Sequence, residues 1–206
     1  MDVEWSVDVP LVTLMSRDQK LQKHFHVRDG RLIEIAETTD TAWVDCGLGT
    51  PTHVGNELLT HDDKSGVRKL YLGTREVWNG RRNVSKVIDA NSDRMILSVF
   101  NEPWQHEIIS VSANGDVLSL SDPEGYAIAV VDDCYSVVVQ HDLQSPSAHF
   151  YIKHYDKIVY EITSHQVKSP VLANPKIKSR TDRELPTAVL DRKSTRLNSS
   201  HLVLSR

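Results

Sequence analysis

The sequence predicts an all-β protein made of about four four-stranded antiparallel sheets, on three observations. No convincing 10-residue stretch places apolar residues at i, i+3, i+4 and i+7, whereas period-two alternation is frequent, as in Leu32 to Ile35 and Tyr151 to His154. Hairpin-type turns such as Asp29-Gly30, Asn114-Gly115 and Tyr155-Asp156 separate short apolar runs. Asn, Asp and Gly tolerate the positive φ that a tight hairpin needs. One plan then recurs, with units starting near residues 3, 42, 86 and 128, spaced 39, 44 and 42 apart. A repeat of ~40–50 residues holding four strands has the size of one β-propeller blade. Four such units make an incomplete β-propeller.

The first unit, near 3–36, folds an apolar pair of strands over the polar loop Ser16-Arg17-Asp18-Gln19 and closes with the Asp29-Gly30 hairpin. Gln22–Val27 alternates polar and apolar residues, as an outer edge strand should. The second unit, near 42–78, is more divergent. Its strands are expected at Ala42–Asp45, Glu57–His61, Val67–Gly73 and Arg75–Trp78, with a turn at Asp63-Lys64-Ser65-Gly66. The third unit, near 86–120, is the clearest: Lys86–Asp89, Met95–Phe100, Glu107–Ser112 and Val117–Leu120. Asn91-Ser92-Asp93, Asn101-Glu102-Pro103 and Asn114-Gly115 join these strands. In the fourth, near 127–163, Ile128–Val131 and Val137–Val139 are short continuous apolar runs. Such runs are expected in inner strands covered on both faces. Trp5, Trp43, Trp78 and Trp104 fall about once per unit. Trp5 and Trp43 read as packing between sheets, whereas Trp104 sits on a loop.

Residues 1–167 are therefore read as a partial propeller and 168–190 as a connector, in which Lys176–Arg180 is exposed and Arg183–Leu190 opens a strand. Residues 191–206 are set apart. Asp191 to His201, DRKSTRLNSSH, resembles residue for residue the translation of a widely used DNA-sequencing adapter, and the expectation is a non-native tail. The gene would then have been cut by the end of a sequencing read, and Met1 is as readily an internal codon as a start.

The chain has 24 Lys and Arg against 28 Asp and Glu, a net charge of −4. Without the tail, which holds Arg192, Lys193, Arg196, Arg206 and Asp191, the balance is −7. No basic stripe remains, which argues against nucleic acid as a partner. No apolar run approaches the ~20 residues of a membrane span, so no membrane partner is expected. No signal peptide begins the chain, and cytoplasmic and exported locations both stay open. Cys46 and Cys134 lack zinc-like spacing and read as buried free thiols.

The motifs of catalysis are missing. No glycine is followed four residues later by another, so G-x-S-x-G does not occur. G-x-G-x-x-G, a Walker loop, H-E-x-x-H and C-x-x-C do not occur either. His24 and His26 share one face of a strand. With no third ligand in view they read as part of a solvated face rather than a metal site. His61-Asp62-Asp63-Lys64 lacks the ligand pattern of a calcium loop and reads as a hairpin tip. No catalytic residue, cofactor or metal is assigned.

Four segments carry a resemblance. Trp5, Leu11-Val12 and Ser16-Arg17-Asp18-Gln19-Lys20 look like a late blade of the N-terminal propeller of dipeptidyl peptidase IV-like serine peptidases, in the prolyl oligopeptidase family. Thr41-Ala42-Trp43-Val44-Asp45 is similar to that family's next inner strand. Ser65-Gly66-Val67-Arg68-Lys69-Leu70-Tyr71-Leu72 is similar to its DGxRHLYL strand, with Lys69 where His is usual. Arg183-Glu184-Leu185-Pro186 resembles the hand-over to an α/β-hydrolase domain. Where the family has an arginine after the Ala42-Trp43-Val44 strand, this chain has Cys46-Gly47-Leu48-Gly49.

The resemblance implies a fragment whose partners are a missing α/β-hydrolase domain and, in the intact parent, peptide substrates. The propeller would cap the active site and restrict entry to short or unfolded peptides. The loops joining second to third strands lie on the edge that also carries the connectors between blades. If that edge meets the hydrolase, Arg17, Glu102 and Trp104 are the contact candidates. A stand-alone binding module for protein or carbohydrate, closed by pairing of its first and last strands, is the alternative, as is a two-layer β-sandwich. A half-ring leaves apolar faces open at both ends, which favours association, for instance as a homodimer.

Overall fold

A computed structural model describes residues 2–6, 9–45, 48–63, 66–102, 104–142, 147–163, 165, 176–182 and 185–191. The first sheet comprises β1 (Asp2–Ser6), β2 (Val9–Met15), β3 (Leu21–Arg28) and β4 (Arg31–Thr39). The second comprises β5 (Thr52–Val54), β6 (Glu57–Asp62), β7 (Lys69–Leu72) and β8 (Arg75–Trp78). The third comprises β9 (Asn83–Ala90), β10 (Arg94–Phe100), β11 (Glu107–Ser112) and β12 (Val117–Ser119). The fourth comprises β13 (Tyr126–Asp132), β14 (Tyr135–His141), β15 (His149–His154) and β16 (Lys157–Ile162). Each is an antiparallel meander in chain order. The turns have the predicted chemistry: Asp29 and Gly30 are both at positive φ (50° and 69°), and Tyr155 is at 55°.

The sheets fan from their first strands. β1 lies beside β5, β5 beside β9, and β9 beside β13. This is the arrangement of propeller blades, not of two stacked layers, and the sandwich expectation is set aside. The fan does not close: β1 pairs with β2 and β16 with β15, and neither pairs with the other.

The third sheet is the centre of the core because aliphatic side chains of its neighbours cover both of its faces. Met95, Leu97, Val99, Ile109 and Val111 meet Val54, Leu59, Leu70, Leu72 and Trp78 of the second sheet. Ile96 and Ile108 point the other way, to Leu120 and to Ala127 and Val138 of the fourth. Side chains of this size contribute about 1.5–3 kcal/mol each when fully buried. The Trp78 indole N–H donates to the Arg82 carbonyl at 3.0 Å, which satisfies its one polar group.

Several expectations are corrected. Ala42–Asp45 is not a strand. The Asp40 carboxylate accepts from the backbone N–H groups of Ala42 (2.7 Å) and Trp43 (3.2 Å), and Val44 N–H donates to the Gln19 carbonyl (2.7 Å). This side-chain turn bends the chain away from a ladder, so 40–45 and 48–51 are not strand and the first strand of the second sheet is the short β5. Trp43 consequently stands 67 % exposed instead of packing between sheets.

Ile128–Val131 and Val137–Val139 are covered on one face only. Ala127 and Val138 are buried, but Val130 is 74 % exposed, and Tyr126, Ile128, Tyr135, Val137, Phe150, Tyr160 and Ile162 are exposed too. Among the described residues no further four-stranded sheet follows. β3 is not an edge strand, since β4 pairs beyond it, and its buried residues are the polar ones, Gln22 and His24. Cys134 is a half-buried free thiol in the Asp133-Cys134 turn, not in a strand, and Cys46 lies outside the described residues. The segment read as an exposed connector contains a hairpin, in which β17 (Lys176–Asp182) pairs with β18 (Leu185–Asp191). Residues 192–206 lie outside the described residues.

Candidate functional site

An antiparallel meander puts the β2–β3, β6–β7 and β10–β11 loops on the edge that carries the connectors between sheets. Backbone hydrogen bonds stitch this edge together. Asp40 N–H donates to the Lys20 carbonyl (3.0 Å), His106 N–H to Gly125 (3.0 Å) and Ala127 N–H to His106 (2.8 Å).

Arg17 is exposed at the tip of the β2–β3 loop. That turn is held by the Ser16 hydroxyl, which donates to Asp18 (2.6 Å) and accepts from Leu21 N–H (3.0 Å), with Gln19 at φ 59°. The Ser16 hydrogen bond also lowers the Asp18 carboxyl below its ordinary value. Glu102 and Trp104 are half-buried in the β10–β11 loop, where the Glu102 carbonyl accepts from Gln105 N–H (2.9 Å). Among the described residues no hydrogen bond, ion pair or ring contact joins Arg17 to either of them, and the second sheet separates the two loops. Leu143 to Pro146 of the β14–β15 loop lie outside the described residues.

The structure assembles a different constellation on this edge. A cleft of about 300 Å³ opens between the first-to-second connector and the β6–β7 loop, lined by Asp40, Trp43, Asp45, His61, Asp62 and Asp63, among others. Arg68 ties together two of its lining carboxylates. Its Nε and Nη2 donate to both Asp63 oxygens (2.9 and 2.7 Å), Nη2 also reaches Asp45 (2.6 Å), and Nη1 donates to the Val84 carbonyl (2.8 Å). Burial acts against ionisation of Asp63, but the Arg68 hydrogen bonds and charge outweigh it and lower the carboxyl's pKa. Burial likewise acts against the Arg68 cation, and Asp63 and Asp45 outweigh it. An exposed indole beside carboxylates suits a cationic or amine-bearing group.

Behind the cleft the first and second sheets meet through histidines. His24, 2 % exposed, bonds Thr13 Oγ1 through Nδ1 at 3.0 Å. His61 bonds Thr50 Oγ1 at 2.7 Å, and His26 meets His53 with 3.2 Å between their Nε2 atoms. The expected solvated face is therefore corrected: Gln22 and His24 are buried on the face of β3 from which His26 reaches His53 of the second sheet. Burial is the main cause that lowers all four pKa values, His24 to about 4 with a further contribution from His61. Among the described residues no group of three or more His, Cys, Asp or Glu has the geometry to hold a metal.

A third hydroxyl–imidazole pair, Ser98 and His106 at 3.3 Å, belongs to the third sheet. A nucleophile must be reachable and its base oriented by a third group. Ser98 is buried, and among the described residues no carboxylate bonds His106, whose ring stacks on Phe100 at 5.2 Å. The pair is structural.

No protein-family model matches the chain, and no curated protein matches it. Solved structures do. The chain is similar to a Porphyromonas gingivalis dipeptidyl peptidase 4, with TM-score 0.74 and 15 % identity, over 89 % of this chain and 29 % of that one. An acylaminoacyl peptidase in complex with Z-Gly-Gly-Phe-chloromethyl ketone gives TM-score 0.61 and 15 % identity, over 91 % of this chain and 31 % of the other. A puromycin hydrolase gives 0.57 and 8 %, over 91 % and 32 %. At these identities the likeness shows the fold. The chain spans about three-tenths of the length of each structure.

Proposed function

We propose that this chain is the propeller portion of a larger serine peptidase of the dipeptidyl peptidase IV kind, and that in the intact enzyme it helps to limit which peptides reach the catalytic centre. The observation that carries the reading is the open fan. Its fourth sheet presents Tyr126, Ile128, Val130, Val137, Phe150 and Tyr160 on one uncovered face. An uncovered apolar sheet face of that extent is the mark of a surface made to be packed against. Likeness to peptidases several times longer supports the same reading.

In this assembly the propeller supplies walls and the hydrolase supplies the chemistry. The edge bearing Arg17, Glu102, Trp104 and the acidic cleft faces the catalytic domain. The chain carries no nucleophile elbow and is inactive alone. The test is to read the uninterrupted gene on both sides and assay its product beside the 206-residue chain on X-Pro chromogenic dipeptides. The expected result is a downstream G-x-S-x-G, turnover by the long product and none by the chain. Turnover by the chain alone, abolished by one substitution in it, overturns the proposal.

A further inference from the structure

The junctions between neighbouring sheets differ in kind. Second against third and third against fourth are packed by aliphatic side chains. First against second is packed by His24 and His26 of β3 against His53 of β5 and His61 of β6, with Thr13, Thr50, Gln22 and the buried Leu11, which pairs with His26 across β2, around them. Gln22 is 4 % exposed, and its Oε1 has no hydrogen-bond partner. We propose that this junction is an acid-sensitive hinge, in which protonation of the four imidazoles releases the first sheet from the second while the remaining sheets stay packed.

The His26–His53 contact requires at least one neutral ring. With 3.2 Å between Nε2 atoms, one of His26 and His53 donates and the other must offer a lone pair, so both cannot be cations. Their stacked rings, centroids 5.0 Å apart, would bring two like charges together. His24 faces Thr13 across β2 and Ala36 across β4, and the nearest charge it senses is that of His61. Among the described residues no carboxylate bonds it. Around the others, Arg28 opposes a charge on His26, and Arg68 opposes one on His61. Asp45, Asp62 and Asp63 favour a charge on His61, but Asp45 and Asp63 are already engaged by Arg68.

The sign follows by linkage. Rings freed from the junction take up protons near the ordinary value of 6.5, whereas buried rings resist down to about 4 for His24. The released form therefore binds more protons between those values, and acidification through that window favours it. The third-to-fourth junction holds one such group, His106 against Tyr126, which burial also lowers, whereas four imidazoles meet at the first junction, so the larger response is expected there.

Amide hydrogen exchange of the full chain at pH 7.5 and pH 5, corrected for intrinsic rates, tests this. Protection over 9–15, 21–28 and 52–62 is expected to fall about tenfold or more, and that over 94–100 and 107–112 to hold within about twofold. The double variant His26→Gln/His53→Gln is expected to move the transition to lower pH. Where that variant does not fold, ring titrations of the unaltered chain by NMR decide. Equal loss in all sheets, no loss, an unmoved transition in a folded variant, or rings titrating at 6.5 overturns the hinge.

Discussion

Replacing Arg68 is the sharpest probe of the loop edge, because one side chain there ties together three elements. It is 18 % exposed and makes four hydrogen bonds, to Asp63, Asp45 and the Val84 carbonyl. Removing one member of a fully buried ion pair costs about 3–5 kcal/mol, and of an exposed pair ~0–1 kcal/mol. Asp63 and Asp45 are 34 % and 48 % exposed, so water can reach the orphaned carboxylates and the cost falls between these limits. Arg68→Ala is expected to destabilise the chain by about 2 kcal/mol, which for this length lowers Tm by about 4–8 °C. Arg68→Lys keeps the charge but not the planar fork, and about half the loss is expected. The pH dependence fixes the cause. Pairing lowers the Asp63 pKa below 3.8, so its stabilisation is complete above that value and fades as pH falls through the folded-state value. Urea unfolding at pH 7 and pH 3 measures both effects. A loss below about 0.5 kcal/mol at pH 7, or one unchanged at pH 3, refutes the ion-pair account.

Other outcomes are expected from the same structure. Leu97→Ala, at a side chain fully enclosed between the second and third sheets, should cost about 3 kcal/mol and lower Tm by about 6–12 °C in a thermal melt. Val130→Lys with Tyr160→Lys should raise the monomer fraction in sedimentation while leaving Tm within about 2 °C, since both side chains are exposed. In the intact enzyme of the proposed reading, Trp104→Ala should raise kcat/KM for longer peptides about threefold relative to a dipeptide chromogen, close to 0.7 kcal/mol. An unchanged ratio removes Trp104 from the gating edge.

What the sequence conveys and what it withholds divide along a physical line. Turns are local, so Asp29-Gly30 and Tyr155-Asp156 appear where their backbone chemistry places them. Strands in the third sheet appear almost residue for residue, Glu107–Ser112 included, because local alternation and burial agree there. Burial by a neighbour is not local. Met95–Val99 and Ile128–Val131 read alike, yet the first is enclosed and the second half open, because the third sheet lies between the second and the fourth, whereas the fourth is covered on one face. Alternation in β3 signals two faces but not which is inside, and His24 and Gln22 proved to be the buried set. Asp40 carried a readable warning, an acceptor placed two and three residues before the N–H groups it captures. Of the cleft, the Asp63 and Arg68 pairing across one short loop was within reach of the sequence. Asp45 was not, since only the course of the connector brings it to Arg68.

The uneven junctions and the open face belong to one argument about where this fan can move. A sheet whose two faces are aliphatic is fixed by packing that responds weakly to pH or salt, and the third sheet holds that position. Among the described residues the first sheet reaches it through the second, by imidazoles, hydroxyls and, at the edge, the connector bonds at Gln19 and Lys20, and the connector also meets the third sheet where Val87 N–H donates to the Leu48 carbonyl (2.6 Å). Arg68 sits where these meet, with one guanidinium on the connector at Asp45, the second sheet at Asp63 and the third at Val84. If the first sheet swings on acidification, Asp45 travels with the connector while Asp63 and Val84 stay. The Asp45 contact then breaks first, and an Asp45→Asn chain should open at higher pH than the unaltered one. An opening pH that does not move with Asp45→Asn would mean that the connector stays with the second sheet, and that the hinge lies between Asp40 and Trp43.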